Sequence, residues 1–157
     1  MKRYINYKKD EIFNLLLVIS ERNNIKLEII DNEQLMYQYN LKENSGYFEY
    51  PNKIILSYFT EDNPLENILI TFFHELAHYK FYNEFLKHEL SAMQYELYIT
   101  FKGIEFALTE YYIKFSDQAI KWIIDRNYTY FNNINHNINL TTFNNNQYTI
   151  CENKKDN

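Results

Sequence analysis

Apolar and polar positions alternate along the chain with two periods, and the switch between them divides it. Residues 9–22 place Ile12, Leu15, Leu16 and Ile19 at helical spacing, with Asp10 and Glu11 favourably near the N-terminus of that helix. Asn23-Asn24 breaks the pattern. Residues 25–30 then alternate and read as a strand. The Tyr-rich stretch 35–41 reads as extended. Asn44-Ser45-Gly46 signals a turn, a strand follows over 47–50, Pro51-Asn52 turns the chain again, and 53–58 forms the next strand. These segments predict a small, mainly antiparallel sheet.

The second half reads as helical. Asn63-Pro64-Leu65-Glu66 offers an N-cap, a proline at the first helical position and a glutamate at the third, so a helix is expected over 64–82. A second helix is expected over 88–114, with Leu90, Met93, Leu97, Phe101, Ile104 and Leu108 as its core-forming stripe and a bend at Gly103. Ser116-Asp117 caps a third over 117–131, which offers Ile120, Trp122, Ile123 and Ile124 for packing. The expected class is α+β. Residues 1–131 form one domain, with an N-terminal helix and sheet over 1–60 and the longer helices over 61–131. Residues 132–157 form an Asn-rich tail, disordered or a short hairpin.

Composition narrows the function classes. The chain has 157 residues, enough for one domain with a real core. Aromatics reach 18%, which argues against a wholly disordered chain, and only 2 Gly and 2 Pro exclude collagen-like and Pro/Gly low-complexity architectures. A net charge of −5 disfavours a generic polyanion-binding surface, so no nucleic-acid partner is expected; Lys2, Arg3, Lys8 and Lys9 read as a solvated end. The lone cysteine, Cys151, has no internal partner, which fits a reducing cytoplasm. The stretch 12–19 is flanked by Asp10, Glu11 and Glu21, so it reads as a helix rather than a signal peptide, and no run is long enough to span a membrane.

One motif carries chemistry. His74-Glu75-Leu76-Ala77-His78 lies inside the helix expected over 64–82. At about 100° per residue, the two histidines fall about 40° apart around the axis and one turn along it, so both imidazoles can hold one Zn²⁺. Such an ion acidifies a water and polarises a carbonyl. Glu75 is then placed to take a proton from the attacking water and return it to the leaving amine. Mn²⁺ or Fe²⁺ also suit two histidines and a carboxylate.

A third protein ligand is required. Glu84 lies six residues after His78, but no glycine turns the chain between them and a continuing helix carries Glu84 away. Glu89 is the better candidate, since it can open the next helix and return to the metal. His88 and Glu96 are alternatives. Tyr111, Tyr112 and Tyr128 are candidates to stabilise an oxyanion, though packing is the commoner role of tyrosine. His136 falls in the tail and reads as exposed.

Residues 46–125 resemble the ImmA/IrrE-type metallopeptidase domain, within the zincins that use a glutamate as third ligand. The matching features are a Gly-Tyr strand at 46–48, the strand Ile54-Ile55-Leu56-Ser57, the helix with Thr71-Phe72-Phe73-His74-Glu75-Leu76-Ala77-His78, and Glu89-Leu90-Ser91-Ala92. In such domains a Glu followed three residues later by Ala supplies the third ligand, which the resemblance carries over to Glu89. Met93 stands where many relatives have an acidic residue. The resemblance implies a zincin-like sheet packed on the active-site helix, and a zinc endopeptidase acting on an intracellular protein of bacteria or their mobile elements, such as a repressor or regulator. The substrate would lie antiparallel to an edge strand, here expected at 53–58. A helix-turn-helix domain precedes the peptidase in some relatives; residues 1–45 show no clear version of it. The alternative is a catalytically inactive zincin-like module that holds metal or peptide.

Overall fold

The computed structural model describes residues 8–85 and 90–134. Among them, five helices and a three-stranded mixed sheet make an α+β fold. The elements are α1 (Lys9–Arg22), β1 (Lys26–Ile29), α2 (Glu33–Gln38), β2 (Gly46–Glu49), β3 (Lys53–Leu56), α3 (Leu65–Phe85), α4 (Ala92–Tyr111) and α5 (Asp117–Ile134).

The strand order is β1-β3-β2. β2 and β3 form the expected antiparallel pair, Tyr47 opposite Ile55, whereas β1 runs parallel to β3, Leu27 beside Ile54. The sheet is therefore mixed rather than mainly antiparallel. The reason is the crossover through α2, which lets the β2–β3 hairpin lay its second strand against β1. This also overturns the expected edge at 53–58: β3 is the central strand, and β1 and β2 are the edges.

Strand alternation sends Phe48, Ile54 and Leu56 into the main core with Ile12, Leu16 and Ile19 of α1, Phe72 and Phe73 of α3, and Ile123 of α5. Ile30, Tyr47 and Ile55 join Met36 and Leu41 in a second, smaller core. Within the stretch expected to be extended lies α2 instead. Asn32 caps it, its Oδ1 accepting from the backbone N–H of Gln34 at 2.8 Å and Leu35 at 3.2 Å.

At the centre is α3, buried without interruption from Glu66 to His78. It packs against α1, β2, β3, α4 and α5, so no face of it meets water over that stretch. Glu66, the glutamate expected in the first turn of this helix, reaches further: its carboxylate accepts from the Ser116 backbone N–H at 2.6 Å and hydroxyl at 2.9 Å. Ser116 Oγ in turn accepts from the Ala119 N–H at 3.2 Å, so one network joins the start of α3 to the cap of α5.

The register of α4 departs from expectation. Its stripe at Phe101 and Leu108 is exposed, 52% and 38%, while Ala92, Tyr95, Glu96, Ile99, Thr100, Gly103 and Ala107 are buried. Apolar periodicity finds the packed side only in part, through Leu90 and Ile104, because the innermost positions include the polar and small residues Glu96, Thr100, Gly103 and Ala107 beside Tyr95 and Ile99. The helix starts behind Ser91, whose Oγ accepts from the Gln94 N–H at 3.2 Å in a capping box, and runs unbroken through Gly103. A Cβ at Gly103 would lie 2.6 Å from the Phe73 carbonyl oxygen, so this glycine serves helix contact rather than a bend. No helix among the described residues is long and apolar enough to cross a membrane. The tail over 135–157, including His136 and Cys151, lies outside the described residues.

Candidate metal centre

Two helices supply the site, each through residues four apart. On α3, His74 and His78 project from one face as their spacing requires, and their Nε2 atoms are 3.2 Å apart. On α4, Glu96 and Thr100 project toward them. Glu96 Oε1 lies 2.9 Å from His74 Nε2, and Glu96 Oε2 lies 3.6 Å from His78 Nε2. The three residues offer ligand atoms within 4.8 Å of one another and form a group able to hold a metal ion. All are almost fully buried, at 2–3% exposure, as is Glu75 at 1%.

Hydrogen bonding decides which imidazole atoms face inward. Thr100 has one hydroxyl proton, and it goes to the Glu96 carbonyl oxygen one turn back at 2.7 Å. Thr100 Oγ1 must therefore accept from His74 Nδ1–H at 3.0 Å, as it does from Asn127 Nδ2 at 3.1 Å. With its proton on Nδ1, His74 turns the Nε2 lone pair toward the Glu96 carboxylate and His78 Nε2. On the other side, His78 Nδ1 meets the Tyr95 hydroxyl at 3.1 Å. This is the outer support that metal-ligating histidines need, a partner on the nitrogen that does not bind.

His74 Nε2, His78 Nε2 and the Glu96 carboxylate thus meet at one buried point. Electrostatics requires positive charge there, which a proton or a metal ion supplies. Burial pulls His74 below its ordinary value, against the opposing influence of Glu96. For His78 burial is again the largest influence and opposes charge, but the Tyr95 oxygen, Glu96 and Glu75 outweigh it and push the imidazole up to about 10.

Glu75 lies where β2 passes close to α3 at Gly46. A Cβ at Gly46 would lie 3.0 Å from Glu75 Cγ and 2.6 Å from Thr71 Cγ2, so only glycine lets the strand pass. The edge strand β2 and the candidate base are neighbours.

The structure brings together His74, Glu75 and His78 as the motif predicts, and adds Glu96, which spacing offered only as an alternative. Glu89 and His88 lie outside the described residues. Glu84 turns elsewhere, accepting from the Tyr98 hydroxyl at 3.2 Å and pairing with Lys102 at 3.7 Å. Tyr111 is taken up by packing on Phe73 and Phe106, its hydroxyl accepting from Asn23 Nδ2 at 3.1 Å. Tyr112 is 72% exposed in a left-handed turn that closes α4, and the side chain of Tyr128 lies outside the described set. Sequence reasoning missed Tyr95, Thr100 and Asn127 as supports. A signal existed for one of them: Glu96 and Thr100 repeat on α4 the i, i+4 spacing of the two histidines.

No protein-family model, curated protein or solved structure matches the chain.

Proposed function

We propose that this chain is a zinc-dependent endopeptidase of the zincin type, with His74, His78 and Glu96 as metal ligands and Glu75 as general base. The observation that carries the reading is the convergence of His74 Nε2, His78 Nε2 and the Glu96 carboxylate, each imidazole supported at Nδ1. Nitrogens bonded to one tetrahedral zinc at about 2.0–2.1 Å lie about 3.3 Å apart. The separation of 3.2 Å between the two Nε2 atoms matches that spacing.

Zinc held there supplies an acidified water and a Lewis acid for the scissile carbonyl. The chain supplies the rest. Glu75 takes the proton from the attacking water and delivers it to the departing amine. Edge strand β2 lies beside Glu75, and pairing an extended peptide with it through main-chain hydrogen bonds would require uncovering Tyr47 and Phe48, which are 3–4% exposed. The substrate is a protein or peptide of the cytoplasm; resemblance to ImmA/IrrE-type domains suggests a regulator of a mobile element.

A second reading draws support from burial. Catalytic zinc sites keep an open position, whereas these four residues are all but inaccessible, at 1–3% exposure. A non-catalytic module that holds its metal in a closed centre accounts for that observation directly.

One experiment separates the two. Metal content is measured by elemental mass spectrometry on dialysed wild type, Glu96→Ala, Glu89→Ala and Glu75→Gln, and each is incubated with a proteome-derived peptide library. The peptidase reading expects one zinc per chain in wild type and Glu75→Gln, loss of zinc in Glu96→Ala and retention in Glu89→Ala. Cleavage should occur in wild type and fall by about 10²–10⁴ in Glu75→Gln. Zinc without cleavage supports the closed module. Zinc lost in Glu89→Ala but kept in Glu96→Ala moves the third ligand to Glu89. A folded wild type that takes up no zinc overturns both readings.

A further inference from the structure

The metal centre and its candidate base lie between two elements that flank α3. On one side Gly46 of β2 abuts Thr71 and Glu75; on the other Glu96 and Thr100 of α4 face His74 and His78. A peptide that pairs with β2 and reaches the metal would lie in this groove. Its β2 wall is a strand edge. The Ser57 N–H donates to the Ser45 carbonyl at 2.8 Å, so 45 and 57 are a hydrogen-bonded pair, and alternation makes 47 with 55 and 49 with 53 the next two. The backbone groups of Gly46 and Phe48 therefore point away from β3, toward the edge. Yet Tyr47, Phe48 and the four site residues are all buried, so the groove is shut.

Helix α5 spans the groove. Arg126 donates through Nη2 to the Glu43 carbonyl at 3.0 Å and to Ser45 Oγ, at the entrance to β2, and its guanidinium lies 5.5 Å from the ring centroid of Trp122. The next residue, Asn127, donates through Nδ2 to Thr100 Oγ1 of α4 at 3.1 Å. Two consecutive side chains thus tie one turn of α5 to both walls, at the end where Gly46 meets Thr71. The start of the helix is held differently. Ser116 is fixed by Glu66, and Ala119 and Ile123 are buried in the main core. Beyond Ile124 the described side chains are Asp125, Arg126 and Asn127, and none of them joins a core cluster. Their hydrogen bonds can be exchanged for bonds to water at smaller net cost than uncovering the core. We propose that α5 is an autoinhibitory strap: the turn at Arg126 and Asn127 closes the groove between β2 and α4, and its release admits an extended peptide to Glu75 and the metal. This rests on the peptidase reading above and reconciles the open position that catalysis needs with a buried centre.

The test uses the full chain as wild type, Arg126→Ala, Arg126→Lys, Asn127→Ala and, as a control, Asn32→Ala, which removes the cap of α2. Two rates are measured well below the melting temperature of every variant. One is cleavage of the proteome-derived peptide library by zinc-loaded protein. The other is acylation of His74 and His78 by diethyl pyrocarbonate in metal-free protein, mapped by mass spectrometry. Arg126→Ala should raise both rates about 10–100-fold and Asn127→Ala about 2–10-fold, the shifts in an opening equilibrium when a charged or a neutral hydrogen bond is lost. Arg126→Lys, which keeps the charge and a donor, should fall between wild type and Arg126→Ala. Asn32→Ala should change neither rate. A contact that only supports the fold predicts the opposite sign, a loss of cleavage. If Arg126→Ala fails to fold, Arg126→Lys and Asn127→Ala decide the matter. Acylation as slow in the α5 variants as in wild type, cleavage that drops while zinc stays bound, or an equal rise in Asn32→Ala overturns the strap alone. Faster acylation with no cleavage by any variant supports α5 as the cover of the site and overturns the peptidase reading.

Discussion

Gly103 of α4 rests against the backbone carbonyl of Phe73, one residue before the first histidine of the metal centre. Any side chain at this position would collide with α3, so the two ligand-bearing helices are in close contact there. Thr100 and Glu96 sit one and two turns back along the same face of α4, so the contact sets the height at which they meet His74 and His78.

Gly103→Ala is therefore expected to destabilise the protein, although alanine is the better helix former by about 1 kcal/mol. The added methyl would fall 2.6 Å from a carbonyl oxygen and 3.4 Å from Ala77 Cβ, within a buried helix pair that has no flexible side chain to yield. Overpacking of this kind costs about 1–3 kcal/mol. Urea unfolding measures it, and a variant as stable as wild type would show that α4 is free to shift.

Glu66 should matter for stability without touching metal. Glu66 is 9% exposed, and its carboxylate receives both the N–H and the hydroxyl of Ser116. Glu66→Ala strands those donors where α5 begins, at a cost of about 2–3 kcal/mol. Glu66→Gln, which keeps one acceptor oxygen, should lose less. Equal unfolding midpoints for wild type and Glu66→Ala would remove this network from the account of how α3 and α5 are joined.

Metal-free protein should be most stable near pH 6.5. His78 keeps its proton up to about pH 10 when folded, whereas an unfolded histidine loses it near 6.5. Its contribution is complete below about pH 6.5 and is lost as pH rises through about 10. His74 runs the other way: its folded value lies below the ordinary one, so the unfolded chain gains a proton first as pH falls, and stability drops on the acid side. Zinc requires both imidazoles unprotonated in the folded state, so the stabilisation it adds should grow with pH. Unfolding midpoints across pH 5–10, with chelator and with zinc, test this. A metal-free midpoint that climbs between pH 7 and 9 would contradict a proton shared at the centre.

Much of this architecture is legible because it is local. The first helix, the strands near Gly46 and Lys53 and the motif helix follow from periods and turn signals within a few residues of one another. His74, Glu75 and His78 lie within one helical turn, so spacing alone groups them. Two other features depend on what meets what. Nothing near residue 26 says that β1 pairs in parallel with a strand more than 25 residues later. Nor does hydrophobicity centre the inner face of α4: Leu90 and Ile104 pack inward, but Glu96, Thr100 and Gly103 are buried for what α3 presents to them, while Phe101 and Leu108 turn outward. The third ligand belongs to that face, and its register follows from a contact between backbone and glycine that reads in the sequence as a flaw in a helix. Asn32 shows the reverse case: the cap of α2 stands in the sequence, but the tyrosines after it pull the reading toward a strand.

Burial of the centre also sets a clock. With His74, His78 and Glu96 sealed between α3 and α4, an ion among them could leave only when the helices part. Its residence time would then follow the frequency of that opening more than the strength of its bonds. Exchange with free metal would be slow even where binding at equilibrium is modest, and the ion acquired as the helices close would be the ion the protein keeps.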